Sequence, residues 1–112
     1  MVIEWLKIKV SSELREKYIQ KDEEIWSAAL TKYPGFLGKQ VWINPKQQDE
    51  VVLVIYWESR DAWKGVSATH MEETEQRFLR EMGEGTYQII EEGEYQVRKF
   101  PQPSTPQPSG NH

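Results

Sequence analysis

Seven consecutive residues, Val51-Val52-Leu53-Val54-Ile55-Tyr56-Trp57, are all apolar or aromatic, and this run restricts the possible folds more than any other feature. Its length and its β-branched and aromatic content suit a strand. Successive side chains of a strand point to opposite faces of the sheet. A strand that is apolar at every position must therefore be covered on both faces. An antiparallel sheet with one face in water would instead alternate apolar and polar residues. Upstream, Gln40-Val41-Trp42-Ile43 reads as another strand. Asn44-Pro45 breaks it, and polar Lys46-Gln47-Gln48-Asp49 supplies a short loop, so the two strands are antiparallel neighbours.

The flanking segments complete the pattern. In Val2–Val10, Leu6, Ile8 and Val10 share one face and Lys7 and Lys9 the other, which predicts a half-buried strand. Ser11 and Ser12 offer an N-cap, Glu13 and Glu16 suit a first turn, and a helix is expected to about Tyr33, where Pro34-Gly35 stops it. Ser59 can cap a short turn holding Asp61, Ala62 and Trp63. A second helix is predicted over Ala68–Met82, closed by Gly83-Glu84-Gly85. Thr86–Phe100 reads as a last strand with a bulge, or as two short strands.

The order β-α-β-β-α-β predicts an α+β, ferredoxin-like domain with an antiparallel sheet. Two helices cover only one face of four strands, and a second copy of the sheet is the economical cover for the other. The expectation is a homodimer joined through the sheet, a dimeric α+β barrel. With 112 residues there is room for one domain, assigned to 1–100. The Pro/Ser/Gln-rich stretch 101–112 has no apolar anchor and is expected to be a disordered tail.

Charge excludes several classes. The 14 basic residues form no block among 18 acidic ones, so no nucleic-acid partner is expected. RNA-recognition domains share the strand order, but they need a basic Gly-Phe run with exposed aromatics on the third strand, and Val51–Trp57 has neither. No apolar run approaches the ~18 residues of a membrane span. Charges at Glu4 and Lys7 interrupt a signal-peptide core, which leaves a cytoplasmic protein as the default expectation. Cysteine is absent, which excludes thiolate chemistry and Cys-based metal sites but leaves the redox compartment open. No nucleophile elbow, phosphate loop or dinucleotide fingerprint occurs, and neither cofactor nor metal is expected.

One residue on the first helix is out of place. On a 100° wheel, Leu14, Tyr18, Ile25, Trp26, Ala29, Leu30 and Tyr33 form an apolar arc, and Asp22 falls near its middle. A carboxylate facing a core is costly unless it is paired or opens into a cavity. Asp22 is thus either a catalytic base or polar anchor in a pocket, or a structural residue bonded to Arg15 on the same arc or to a backbone group. Glu75 poses a weaker version of the question on the second helix. His70 is the one histidine before the tail and a candidate general base or haem ligand. With Glu73 it makes half a metal site, whereas catalytic zinc needs three protein ligands. Thirteen aromatic residues suit a pocket for a flat apolar ligand, with Trp5, Tyr18, Trp26 and Trp57 as candidate walls.

Tyr33-Pro34-Gly35-Phe36-Leu37-Gly38-Lys39-Gln40-Val41-Trp42, the strand Val51–Tyr56, and Trp57-Glu58-Ser59-Arg60-Asp61-Ala62-Trp63 together resemble the antibiotic biosynthesis monooxygenase-like dimeric α+β barrels. The resemblance spans nearly all of 1–100 and implies the fold and the dimer. It leaves the activity open among cofactor-free oxygenases of polycyclic aromatics, haem-degrading enzymes and isomerase-like proteins. The haem-degrading branch carries an Asn on strand one and a Trp and a His beyond strand three. Those last two positions fall near Val66 and Gln76, strand one offers no Asn, and His70 is out of register. The expected function is a cofactor-independent, monooxygenase-like enzyme acting on a small apolar or aromatic compound. A non-catalytic ligand-binding or sensing module is the alternative.

Overall fold

The computed structural model describes residues 1–101, so most of the expected tail lies outside the described residues. Four antiparallel strands form one sheet: β1 (Val2–Val10), β2 (Phe36–Asn44), β3 (Gln47–Trp57) and β4 (Tyr87–Gln96), in the order β2-β3-β1-β4. The apolar strand β3 sits inside the sheet, while β2 and β4 form the edges. β4 is a single strand with a bulge: its register against β1 shifts between Lys7 and Ile8, which leaves Ile90 as the extra residue.

The hairpin reaches further than apolar content suggested. Asn44 pairs with Gln47, so only Pro45-Lys46 makes the turn, and the Lys46 amide donates to the Asn44 side-chain oxygen at 2.9 Å. Polar Gln47–Glu50 remain in β3 because a backbone ladder does not depend on apolar side chains.

The first helical run starts later than Ser11 or Ser12. It begins at Arg15, after a turn in which the Leu14 amide donates to the Ser11 carbonyl at 2.9 Å, and no side chain caps it. It has three parts: α1 (Arg15–Lys21), a π-helical segment (Asp22–Ser27) and α2 (Ala28–Leu30). Ser59 caps α3 (Arg60–Lys64) by accepting from the Ala62 amide, and Ser67 caps α4 (Ala68–Met82) by accepting from the His70 amide. The turn before β2 presses on α3: a Cβ at Gly35 would stand 2.2 Å from that of Ala62, so only glycine fits there.

Both helical layers cover the same face of the sheet. Ile8, Val10, Val51 and Leu53 pack against Tyr18, Ile25, Phe78 and Met82, and Ile55 and Trp57 pack with Leu30 and Val66. By alternation, Val52, Val54 and Tyr56 face the other way, beside Ile3 and Trp5 of β1 and Gln40 and Trp42 of β2. On that face Val52 and Val54 are buried by their larger neighbours, while Trp42 at 49% and Tyr95 at 57% stay exposed.

Candidate functional site

A cavity of about 220 Å³ lies between the helices and the inner face of the sheet. It exceeds the ~10–15 Å³ that one water needs and falls just short of the ~300 Å³ where drug-sized pockets begin. Each wall follows from local structure. Alternation along β1 puts Glu4 on the face of Leu6 and Ile8. Lys39 of β2 pairs with Ile55 of β3 and shares its inward face. Asp22 opens the π-helical segment, and Trp26 lies within it. Such segments widen a helix locally and frequently mark functional sites. Here it carries two cavity-lining side chains.

Asp22 is 2% exposed, and its carboxylate accepts from the Lys39 ammonium at 2.8 Å. The Lys39 side chain is itself only 4% exposed, so the pair is buried. Arg15 is not the partner; it lies 3.9 Å from Glu16. Burial pushes the Asp22 carboxyl above its ordinary value, and the Lys39 charge opposes the shift without reversing it. Glu4 is also pushed up by burial, against a hydrogen bond from Trp57 Nε1 at 3.2 Å and the charges of Lys39 and Lys64. Glu75 accepts from Trp26 Nε1 at 3.3 Å and from the Tyr87 hydroxyl at 2.5 Å. Burial, and then the nearby carboxylates, raise the Tyr18 hydroxyl well above the ordinary tyrosine range. Burial and its bond to Glu75 do the same for Tyr87. Both tyrosines stay protonated at neutral pH.

The cavity thus combines aromatic walls (Tyr18, Trp26, Trp57, Trp63 and Tyr87) with a buried ion pair and further carboxylates. Met71 and Ile89 line it yet are 44% and 48% exposed, which puts the entrance between α4 and β4. A proton can move from a bound hydroxyl to Asp22 while Lys39 keeps its countercharge nearby.

Asp22, Tyr18, Trp26 and Trp57 all border this cavity. Trp5 does not: it stands on the opposite face of β1, edge-on to Tyr95 with ring centroids 6.5 Å apart. His70 lies at the start of α4, outside the lining, with Nδ1 2.8 Å from the Tyr33 hydroxyl. Among the described residues no three His, Asp or Glu side chains gather where a metal could bind. Sequence reasoning passed over Lys39, Glu4, Trp63 and Tyr87. The β1 alternation already carried the signal for Glu4, which shares its parity with Leu6, Ile8 and Val10.

With this geometry in place, three comparisons bear on the chain. The sequence profile of the family described as antibiotic biosynthesis monooxygenase matches residues 1–77. No curated protein matches the sequence. Among solved structures, the monooxygenase from the gene ActVA-Orf6 of Streptomyces coelicolor, in complex with nanaomycin D, superposes with a TM-score of 0.69 at 17% identity, covering 92% of either chain. SnoaB, a cofactor-independent oxygenase from Streptomyces nogalater, gives 0.62 at 16% identity over 88% of this chain and 94% of its own. A conserved protein from Methanosarcina mazei gives 0.60 at 14% identity, over 87% and 92%. At these identities the superpositions establish the ferredoxin-like fold.

Proposed function

This chain belongs to the antibiotic biosynthesis monooxygenase family, and from that premise we propose that it oxygenates a small phenolic aromatic compound in the cavity without a bound cofactor. The observation that carries the reading is the Asp22–Lys39 pair, buried at 2.8 Å beside aromatic walls. A carboxylate raised by burial is a better base than one in water, and its task is to accept the substrate hydroxyl proton. The exchange creates no net charge: neutral Asp22 remains, and the phenolate becomes the counterion of Lys39. The phenolate is electron-rich enough to pass an electron to dioxygen. Recombination forms a carbon–oxygen bond at the ring position para to the hydroxyl. One oxygen atom ends as a quinone carbonyl. The other leaves as water, with its two hydrogens from the substrate hydroxyl and the ring C–H. The cofactor-independent oxygenase SnoaB and the ActVA-Orf6 monooxygenase, in complex with nanaomycin D, support the same reaction class.

An oxygen electrode with a panel of one- to three-ring phenols tests this. One dioxygen should disappear per quinone formed, and Asp22→Asn should slow uptake by about 10²-fold or more. Tight phenol binding with no uptake would replace this reading with a non-catalytic binding module.

The active unit in this proposal is a homodimer closed through the outer sheet face. Support comes from Trp42 on β2 and Tyr95 on β4, which stay about half exposed on that face and suit burial against a partner. Sedimentation equilibrium at micromolar concentration should return about twice the 13.2 kDa chain mass, and Trp42→Glu should shift it toward the monomer. A native protein at the single-chain mass would remove the barrel.

A further inference from the structure

We propose that the N-terminal half of α4 is a flap over the cavity mouth, hinged on its own C-terminal half and latched to β4 by the bond between Glu75 and the Tyr87 hydroxyl. Such a flap governs access, whatever reaction the cavity performs. α4 is fixed unevenly along its length. Phe78 and Met82 bury its C-terminal half in the core, and the Glu81 carboxylate meets the Lys21 ammonium of α1 at 3.2 Å. In the N-terminal half, Met71 at the mouth is exposed. On the flank toward α2, His70 Nδ1 is bonded to the Tyr33 hydroxyl at 2.8 Å, and the two rings stack with centroids 5.7 Å apart. On the flank toward β4, the Tyr87–Glu75 contact at 2.5 Å is the one hydrogen bond between the two elements among the described residues.

The latch is strong but single. An O–H donating to a carboxylate makes a charge-assisted bond, about twice as strong as a neutral one. Glu75 also accepts from Trp26 Nε1, but at 3.3 Å, just past the usual range for such a bond. Tyr87 does not travel with the flap. Its ring packs against Tyr18 and Phe78, with centroids 5.5 and 5.1 Å away, and its backbone pairs with Val10 in the sheet. Opening therefore parts Glu75 from a fixed hydroxyl, and water satisfies both groups as they separate. Segments held by so few buried contacts open at a fraction of the cost of global unfolding. Removing the hydroxyl shifts the balance further: the closed carboxylate then lacks its main donor, whereas the open one is hydrated as before.

Cysteine is absent from the sequence, so one introduced thiol reports on one place. Leu53→Cys sets it at a buried, cavity-lining position of β3, and Ile55→Cys serves if that variant does not fold. The probe is 4,4′-dithiodipyridine, a neutral two-ring disulfide whose exchange with the thiol is read by absorbance. Labelling should be far slower than in the urea-unfolded chain. Below the unfolding transition it should be nearly independent of urea, because a local opening exposes little surface. Adding Tyr87→Phe keeps the ring and removes the latch. It should speed labelling by about tenfold or more, the scale of losing a bond to a charged group, without steepening the urea dependence. Adding Arg60→Ala cuts the exposed tie between α3 and Glu94 of β4, 3.0 Å long, and should change the rate by less than about twofold. Labelling as fast as in the unfolded chain would mean that the cavity stands open and has no flap. Labelling only through global unfolding, with a rate that climbs as steeply in urea, overturns the proposal, as does no gain from Tyr87→Phe. An equal gain from Arg60→Ala overturns it too, by putting the moving part at α3.

Discussion

Replacing Lys39 by Met should destabilise the protein by about 3–5 kcal/mol at neutral pH, because it leaves the buried Asp22 carboxylate without its cation. Asp22→Asn should cost a similar amount by stranding the ammonium. Replacing both together, as Asp22→Leu with Lys39→Met, should bring stability back to within about 1 kcal/mol of native or above it. Hydrophobic substitution of a buried ion pair also removes its desolvation cost. Denaturant midpoints at one fixed protein concentration measure all four corners of the cycle. Acid should rescue the Lys39→Met variant. Its Asp22 binds a proton more tightly in the folded than in the unfolded chain, so stability falls as pH rises through the raised folded value. The penalty is full above that value and fades as pH approaches the ordinary 3.8 of aspartate. Native protein should show the same sign more weakly, since Lys39 opposes the shift. The double variant should fold yet lose oxygen uptake, which parts the strut from the base. A neutral Lys39→Met at pH 7 would mean that the pair is not buried in solution.

Phe78→Ala should also cost about 3–5 kcal/mol, the usual range for truncating a buried phenylalanine. Phe78 is 1% exposed and lies edge-on to two tyrosine rings, with centroids 5.2 Å away at Tyr18 and 5.1 Å at Tyr87. Such pairs add about 0.5–1.5 kcal/mol beyond burial. The total stability of a small domain is about 5–15 kcal/mol, so the loss takes a large share of it. The damage should reach the cavity as well, because Tyr87 holds Glu75 and packs against Phe78. Phe78→Leu should cost much less, since it keeps most of the volume. A small cost for Phe78→Ala, with an unchanged dependence on denaturant, would show that the core collapses into the gap.

Several features were legible from residue order because they depend on local rules. The seven-residue apolar run read as a strand paired with the one before it, and it forms the C-terminal part of β3 beside β2. The expected helix Ala68–Met82, closed at Gly83, is α4, because glycine chemistry at a helix end needs no tertiary context. Asp22 stood out because helical periodicity alone put a carboxylate on an apolar arc, and it is buried.

What escaped sequence reasoning is one parity and whatever depends on reach between elements. Trp5 and Glu4 are chain neighbours, and a one-residue change in which side of β1 faces the helices would exchange their roles. The alternation of Leu6, Ile8 and Val10 already turned the Glu4 side inward, so naming Trp5 as a wall went against the parity of its own strand. Arg15 was the nearest cation along the helix arc, but Lys39, 17 positions away on β2, bonds Asp22 because the sheet brings an inward-facing strand position under the π-helical segment. That segment was itself invisible to a wheel turned at a constant 100°, which assumes the α-helical ladder throughout. The residue types therefore determined the main strands and helices, their succession along the chain and the presence of one misplaced carboxylate. Its partner and its cavity were decided by tertiary structure, because a charge–charge contact depends on distances that a linear pattern does not contain.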